Sequence, residues 1–365
     1  MPKIYDVVDL DLYTEMIKQK YIKEQVHPKF PELLIANYTD ACMWDQVWNS
    51  ATMQCRGLIW NRDDQEVLAR PYRKFFNHDQ EQAPKWSLDT KVHVTDKLDG
   101  SLGILYKQPD DTYAVATRGS FASDQAMWGT EVYREMFEGE FEPDDNHTYL
   151  FELIYPENRV VVNYDGLQQM VLLGAVDIRT GDSIAIEDIA GSWPGLIVPL
   201  FHEEAPLEKV LLAPPRDNAE GLVLWNRETD ERVKIKYEEY KRLHKYLTNT
   251  TVKHVWEILS SGQNANEVFA GAPDEFHQWL QQVILEFASE YGRIEFESRN
   301  EYESILSTLP EDFTRKDFAL AVQGAKYKSL LFKLYDGQST SDDIWKMLKP
   351  HGQTRTVRKV DEDAN

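Results

Sequence analysis

The chain has 365 residues, 42% of them hydrophobic, so it can build a substantial core and is long enough for two domains. Its 62 acidic and 40 basic residues give a formal net charge of −22, which excludes a polycation that binds nucleic acid through overall charge. Two cysteines, Cys42 and Cys55, argue against a disulfide scaffold and fit a reducing compartment. No apolar run approaches the roughly 20 residues of a membrane span, and the first residues lack a signal-peptide core. We therefore expect a soluble, cytoplasmic protein without membrane contact.

Up to about residue 245, short apolar runs alternate with polar turns, a pattern typical of β-strands. The runs that predict strands occupy residues 92–106, 111–119, 147–156, 168–182 and 220–237. One amphipathic segment, residues 124–137, predicts a helix, and the acidic residues 138–146 that follow it predict a solvated loop.

After residue 250 the apolar residues recur with the helical period of 3.6. They predict helices over residues 252–259, 274–291, 318–335 and 344–348, and Pro350 should end the ordered region. We expect an α+β fold, with one large domain at residues 1–248, a small all-α domain at 249–350 and a polar tail at 351–365.

A candidate nucleophile lies between two predicted strands, in the sequence Lys97-Leu98-Asp99-Gly100. On its own this could be a surface lysine before an Asp-Gly turn. In the functional interpretation, Lys97 attacks the α-phosphate of a nucleotide, which requires an uncharged amine. Its pKa would have to fall by about three units, at a cost of ~4 kcal/mol. A real site should therefore bring other basic side chains close to Lys97.

Such cations follow along the chain. Lys234 and Lys236 alternate with Val233 and Ile235, so in a strand both lysines project from the same face. That face could simply be solvated, or it could neutralise the negative charge of departing phosphates.

Two glutamates stand next to or within apolar runs. Glu152 interrupts the run from Tyr149 to Tyr155, where a lone carboxylate is costly unless it meets a cation, a metal or hydrogen-bond donors. Glu220 precedes the apolar run that begins at Gly221 and is a weaker signal, because an acid at a strand start is common. Together they suit the coordination of Mg²⁺ beside a triphosphate.

In their order along the chain, these motifs resemble motifs I, III, IV and V of the covalent nucleotidyltransferases, which comprise DNA ligases, RNA ligases and mRNA capping enzymes. The matching segments are Lys97 to Gly100, Phe151 to Leu153, Glu220 to Val223 and Lys234 to Lys236. Upstream segments at residues 55–60 and 70–77, with residues 117–120 and 155–161, narrow the resemblance to the phage T4-type RNA ligase 1 family, over residues 40–245. Arg118 stands where that family carries a lysine, so the cation is retained with a different geometry.

The resemblance implies a nucleotidyltransferase domain with ATP-grasp-like antiparallel sheets that uses ATP and Mg²⁺, or alternatively Mn²⁺. It implies that RNA 5′-phosphate and 3′-hydroxyl ends are joined through lysyl-AMP and AMP-RNA in RNA repair, with cleaved tRNA as one candidate substrate. It also implies that Lys97 is the adenylated nucleophile and that the metal ligands are Glu152 and Glu220. The remaining implied nucleotide-binding residues, in addition to those two glutamates, are Arg56, Lys74, Asp99, Arg118, Lys234 and Lys236.

Other interpretations remain open at this point. A DNA ligase or a capping guanylyltransferase shares the four motifs, but usually continues into a β-barrel, whereas this chain continues with helical periodicity. A non-catalytic RNA-binding protein with a degenerate ligase fold should have lost Lys97 or its partners, and all are present. The basic stretch from Arg232 to Lys245 favours an RNA-binding groove. The sequence leaves the oligomeric state open, with a monomer favoured.

Overall fold

The structure is a computed structural model that describes residues 1–269, 272 and 274–350. The chain divides into two compact units between residues 241 and 242, and the described residues of the second unit are 242–269, 272 and 274–350. The predicted polar tail at 351–365 lies outside the described residues. No helix in the described part of the chain combines the length and apolar character needed to cross a bilayer.

The described strands all belong to the first unit, and the predicted strand runs coincide with β6 to β10, β13 and β14. In chain order the strands are β1 Ile22–Val26, β2 Leu33–Tyr38, β3 Arg56–Asn61, β4 Val67–Ala69, β5 Phe76–Asn77, β6 Lys91–Lys97, β7 Ser101–Lys107, β8 Tyr113–Ala116, β9 His147–Ile154, β10 Gln169–Asp177, β11 Ser183–Ile184, β12 Leu200–Pro206, β13 Gly221–Asn226 and β14 Glu231–Lys236.

The helices are short except for one of 35 residues in the second unit. In chain order they are α1 Ile4–Val7, α2 Leu10–Lys18, α3 Asp40–Trp44, α4 Ser50–Gln54, α5 Asp124–Met136, α6 Ile186–Ile189, α7 Leu207–Leu211, α8 Glu238–Asn249, α9 Val252–Ser260, α10 Ala265–Val268, α11 Asp274–Thr308, α12 Arg315–Ala321, α13 Lys328–Tyr335 and α14 Ser341–Met347.

The strands form three sheets, with the orders β1-β2-β3-β4, β11-β10-β9-β7-β8 and β12-β6-β13-β14-β5. Every pair of neighbouring strands is antiparallel except β14 and β5, which are parallel. We call the second and third sheets the motif III sheet and the motif I sheet, after the predicted motifs on β9 and β6. The predicted mixed α/β architecture with antiparallel sheets is thus confirmed.

The motif III sheet buries both of its faces. Ile104 and Tyr106 of β7 pack with Leu33 and Ile35 of the four-stranded sheet, whereas Leu105 joins a core on the opposite face with residues of α5 and α6. Because successive side chains of a strand point to opposite faces, a continuous apolar run such as that of β7 requires cover on both sides.

The motif I sheet has one apolar face and one polar face. Val92 and Val94 of β6 pack with Leu222, Leu224 and Val233 in a buried cluster. The intervening positions of the same strands therefore face the other way, and they carry the polar and charged side chains of the site described below.

The secondary-structure elements described in the second unit are all helices. Ile294 of α11 packs with Leu330 of α13 and Ile344 of α14, and Phe318 of α12 forms a second small cluster with Leu331. The single helix predicted over residues 318–335 is wrong, because α12 and α13 are separate helices. The backbone N–H groups of Lys326 and Tyr327, just before α13, donate to the carboxylate of Glu301 on α11 at 2.9 and 3.2 Å, a contact that the local sequence pattern does not reveal.

Gly221 begins β13 in a conformation that excludes a side chain. Its φ is +154°, and a Cβ built there would overlap the carbonyl oxygen of Ile235 on the neighbouring strand. We predict that Gly221→Ala lowers the free energy of unfolding by about 3 kcal/mol or more, because a backbone atom of a paired strand must move. Urea denaturation measures the loss. Gly191→Ala is the control, since no atom lies within 4 Å of its Cβ position, and equal stability of the two variants would contradict the prediction.

Candidate active site

The predicted motif I connects the two five-stranded sheets. Lys97 is the last residue of β6 in the motif I sheet, and Ser101 is the first residue of β7 in the motif III sheet. Gly100 lies at the crossing, where a Cβ would stand 2.5 Å from the carbonyl oxygen of Leu153 on β9. Because only glycine fits so close to a neighbouring backbone, the motif holds the two sheets together at the position of Lys97.

Strand register builds the floor of the site as three rows that cross β6, β13 and β14. The rows are Lys97, Gly221 and Lys236; Thr95, Val223 and Lys234; and His93, Trp225 and Arg232. Directly paired residues of antiparallel strands share a face, so these side chains project together. They line a cleft with about 1170 Å³ of free space, whose opposite wall is formed by Leu102, Glu152, Leu173 and Ile184 of the motif III sheet.

The carboxylate of Glu220 lies between two lysines at one end of this cleft. Its Oε2 atom is 2.7 Å from Lys97 Nζ and its Oε1 atom is 3.0 Å from Lys236 Nζ. Only 3% of the Glu220 side chain is exposed. Burial by itself would raise the pKa of Glu220, but the two ammonium groups outweigh burial and lower it. Glu220 is therefore an anion that fixes the positions of both lysines.

The pKa of Lys97 differs from the sequence-based expectation. Burial lowers this pKa, yet the carboxylates of Glu220, Glu152 and Asp99 raise it by more, so Lys97 is charged. The prediction that Lys97 itself has a lowered pKa is wrong. The lowered pKa belongs instead to Lys234, through burial first and then through the charges of Lys236, Lys74 and Lys97.

Glu152 faces the same cleft from β9. Its Oε1 atom accepts a hydrogen bond of 2.9 Å from the backbone N–H of Gly100. Loss of solvation raises the pKa of Glu152 to about 7, although the charge of Lys97 opposes this shift. Glu152 thus connects motif III to motif I and places a second carboxylate near Lys97.

Asp99 is an anchor. Its Oδ2 atom accepts 2.8 Å hydrogen bonds from the backbone N–H groups of Val161 and Val162, and its Oδ1 atom accepts one of 2.7 Å from the Tyr240 hydroxyl. These bonds join motif I to the segment after β9 and to α8. Only 4% of Asp99 is exposed, so its role in this structure is to hold the loop beside Lys97.

Three arginines, Arg56, Arg118 and Arg232, line the cleft together with the lysines. Arg118 is buried and donates from Nη1 to the Tyr38 hydroxyl at 2.9 Å. Burial would raise the pKa of Tyr38, but the charges of Arg118, Lys74 and Arg56 outweigh burial and lower it. The Nη1 atom of Arg56 is buried without a hydrogen-bond partner among the described residues. A buried donor without a partner is costly, which makes Arg56 a natural ligand for a phosphate.

Lys74 occupies a neighbouring position and is not among the residues that line the cleft. Its Nζ atom lies 5.2 to 5.4 Å from the ring centres of Tyr38, Trp48 and Phe76. It lines an adjacent groove, which shares Tyr72, Phe75 and Arg232 with the cleft. The structure therefore brings all the predicted site residues except Lys74 to one cleft.

Sequence reasoning missed His93, Trp225 and the tyrosines of the site, and it assigned Arg232 to an RNA-binding groove rather than to this cleft. The guanidinium carbon of Arg232 lies 3.9 Å from the ring centre of Tyr72 and 4.7 Å from that of Trp225. The period of two that links Lys234 and Lys236 extends back to Arg232 and could have identified it. For Tyr240, no pattern in the sequence signals its bond to Asp99.

The cleft combines positive charge with two candidate metal ligands. Among the described residues, six arginines and lysines and four carboxylates line it, so it suits a polyanion. The described residues contain no group of three or more metal-binding side chains. Glu152 and Glu220 nevertheless fit Mg²⁺, which is commonly bound by one or two carboxylates and completes its shell with water and substrate phosphates.

Comparison with known proteins decides the family. The RNA ligase family model of the T4 RNA ligase 1 type matches residues 54–240, half of the chain. This chain belongs to that RNA ligase family. The match begins two residues before Arg56 and ends at Tyr240, so it contains every predicted site residue, and the family predicted from the sequence is confirmed.

Individual relatives are distant. An RNA ligase of Rhodothermus phage RM378 is 24% identical, over 90% of this chain and 89% of the phage protein. A solved structure of Naegleria gruberi RNA ligase with PPi is 21% identical and has a TM-score of 0.34. That alignment covers 43% of this chain and 53% of the solved one, and it supports no statement about function.

The hydroxyl of Tyr240 supplies one of the three donors to the buried carboxylate of Asp99. We predict that Tyr240→Phe lowers the free energy of unfolding by about 1–3 kcal/mol, because Oδ1 loses its partner away from water. Urea denaturation measures this difference. The control is Tyr5→Phe, at a side chain that is 55% exposed. A Tyr240→Phe variant as stable as this control would show that the hydrogen bond contributes nothing.

Proposed function

We propose that this RNA ligase family member is an ATP-dependent enzyme that joins RNA 5′-phosphate and 3′-hydroxyl ends through a lysyl-AMP intermediate. The observation that carries the proposal is the contact of Lys97 Nζ with Glu220 at 2.7 Å, in a cleft where arginines and further lysines converge. Glu220 holds the amine in the cleft, and the surrounding cations stabilise the negative charge that develops on an attacked phosphate.

The cleft suits ATP in both of its parts. Leu173, Ile186 and Val223 offer apolar surface for a base. The unpartnered Nη1 atom of Arg56 and the buried guanidinium of Arg118 offer donors to phosphates or ribose. Lys234 and Lys236 would hold the α-phosphate and Lys74 would contact a phosphate from the adjacent groove. In this proposal, the negative charge of bound phosphates reduces the repulsion among Lys234 and the neighbouring lysines.

In the first step, Lys97 Nζ forms a bond to the α-phosphorus of ATP while the bond from that phosphorus to the pyrophosphate oxygen breaks. The amine must first release a proton to water, and positive charge close to Lys97, from the neighbouring lysines and from Mg²⁺ held by the two glutamates, would favour that release. Lys234 and Lys236 neutralise the charge that develops on the phosphates as pyrophosphate leaves. The product is AMP bonded to Lys97.

The next two steps transfer AMP and then seal the strand. An oxygen of the RNA 5′-phosphate attacks the phosphorus of the bound AMP, the N–P bond breaks, and Lys97 regains its proton. The 3′-hydroxyl of the other end then attacks the 5′-phosphate, AMP leaves, and a phosphodiester forms.

We assign Glu152 and Glu220 as the residues that hold Mg²⁺, or alternatively Mn²⁺, either directly or through water. The ion would supply further positive charge beside the phosphates. Asp99 supports nucleotide binding by fixing the motif I loop rather than by direct contact.

Further parts of the proposal concern the chain as a whole. We assign residues 1–248 as the adenylyltransferase domain, since the predicted site residues lie within Met1–Lys241, and residues 249–350 as an all-α domain that contributes to the choice of RNA. The protein would act as a monomer in the repair of cleaved RNA, such as tRNA, in the cytoplasm. Its two free, buried cysteines fit a reducing compartment.

Lys97→Ala tests the nucleophile. Incubation with α-labelled ATP and Mg²⁺ should label the wild type and leave the variant unlabelled, because the attacking nitrogen is missing. The variant should still seal a pre-adenylated RNA, which bypasses the lysine. Lys91→Ala, at the exposed other end of β6, is the matched control and should be labelled normally. Undiminished labelling of Lys97→Ala would refute the assignment, and stronger labelling from GTP than from ATP would refute the choice of ATP.

Glu152→Gln tests the metal and ribose assignment. The substitution keeps an oxygen for the Gly100 N–H group and removes the charge, so we predict that the rate of lysyl-AMP formation falls by about tenfold or more. A titration with Mg²⁺ should show a weaker response than that of the wild type. Glu157→Gln, at an exposed residue shortly after β9, is the control. Activity of Glu152→Gln within about twofold of the wild type would favour a purely structural carboxylate.

A further inference from the structure

A second cavity shares Arg118 with the catalytic cleft. We call it the Lys20 pocket; it has about 550 Å³ of free space, and its charged and polar lining includes Lys20, Lys23, Asn37, Tyr38, Asp40 and Arg118. Lys97 lines the cleft but not this pocket, whereas Arg118 lines both. The Lys20 pocket is therefore adjacent to the reaction site and separate from the place assigned to ATP.

Strand pairing, with a register shift between Ala36 and Asn37, builds the pocket and links it to the cleft. Lys23 on β1 is paired with Asn37 on β2, which is paired in turn with Arg56 on β3. Lys20 follows α2 in a left-handed turn with φ of 65°, and its carbonyl oxygen accepts a 2.7 Å hydrogen bond from the Thr39 hydroxyl. The lysines are thus held at the edge of a rigid sheet whose third strand contributes Arg56 to the active site.

Asn37 is the buried polar group of the pocket. It is 3% exposed, and its Oδ1 atom has no hydrogen-bond partner among the described residues. An unmet acceptor away from water costs about 1–3 kcal/mol. The amide of Asn37 lies in a pocket with two lysines, and its Oδ1 atom lacks a hydrogen-bond donor. Both features indicate a ligand that supplies this donor.

Positive charge dominates the pocket. Its lining contains three cationic side chains, Lys20, Lys23 and Arg118, and one carboxylate, that of Asp40. In the part of the chain that the structure describes, neither Lys20 nor Lys23 forms an ion pair. Unpaired lysines grouped in a pocket of a protein with a net charge of −22 mark a local site for an anion.

We propose that the Lys20 pocket binds one ribonucleotide of the RNA substrate, with its phosphate against Lys20 and Lys23 and its 2′-hydroxyl donating to Asn37. This inference rests on the proposed function. RNA offers both groups at a fixed spacing, and the 2′-hydroxyl is the donor that distinguishes it from DNA. Arg118 and Tyr38, which meet at 2.9 Å, then lie between the RNA and the cleft that holds the adenylated lysine.

The lysine contacts are tested with the double variant Lys20→Ala/Lys23→Ala in the full chain. We expect the KM for sealing a pre-adenylated single-stranded RNA to rise about tenfold, and the salt dependence of binding to weaken by about 1.4 in slope for two lost phosphate contacts. Self-adenylation from ATP should be unchanged. The matched control is Lys18→Ala/Lys91→Ala, whose lysines are exposed and lie outside the pocket.

Two results of this experiment would overturn the proposal. One is a KM within about twofold of the wild type together with an unchanged salt slope. The other is a loss of self-adenylation as large as the loss of sealing activity, because that result would place the two lysines in the ATP step. Failure of the proposed function gives a different result, since the wild type itself would then form no lysyl-AMP.

The role of Asn37 is tested by substrates that carry one 2′-deoxy sugar at successive positions near the joined ends. We expect the wild type to seal poorly the substrate that is deoxy at one particular position. The Asn37→Leu variant should seal all the substrates of the series equally well. The melting temperature of this variant should be unchanged or higher, because the substitution removes a buried polar group without a hydrogen-bond partner. A single-position 2′-deoxy effect that persists in Asn37→Leu, or its absence from the wild type, would refute the contact.

Discussion

The ion pairs of Glu220 are the interaction on which the active site depends. Two ammonium groups cannot stand at the floor of a half-buried cleft without a counter-charge, because desolvation and mutual repulsion both oppose them. Glu220 supplies that charge to Lys97 and Lys236 at once. The register of β6, β13 and β14 places the two lysines on either side of Gly221, next to Glu220 in the chain. The strand pairing that positions the two lysines therefore also positions the carboxylate that neutralises them.

The same constraint changes how the nucleophile is understood. A lysine that attacks a phosphate needs a lone pair, yet Glu220 and its neighbours raise the pKa of Lys97. The lysine with a lowered pKa is Lys234, which lies one row further along the sheet among other cations. Glu220 thus holds the nucleophile in place as an ammonium ion, and in the proposed mechanism this ion must lose a proton before it attacks ATP.

Charge is distributed unevenly in this protein. The chain carries a net charge of −22, yet the cleft and the Lys20 pocket are both locally cationic and share Arg118. Surrounding acids disfavour indiscriminate adsorption of nucleic acid, whereas local cations attract phosphates at short range. In our proposals, ATP and RNA approach the same arginine from two separate cavities.

The sequence by itself predicted seven of the fourteen described strands, the helices α5, α9, α11 and α14, and site residues that all line the cleft except Lys74. Period-two alternation placed Lys234 and Lys236 on one face, and a carboxylate inside an apolar strand identified Glu152, because these signals arise within a few consecutive residues. Only the tertiary structure decided which groups meet. The anchoring of Asp99 by Tyr240, the break between α12 and α13 opposite Glu301, and the raised pKa of Lys97 each depend on a residue at least 20 positions away along the chain. Such contacts are set by sheet register and packing, and a local pattern cannot contain them because their free energies depend on burial and on charges that the fold brings together.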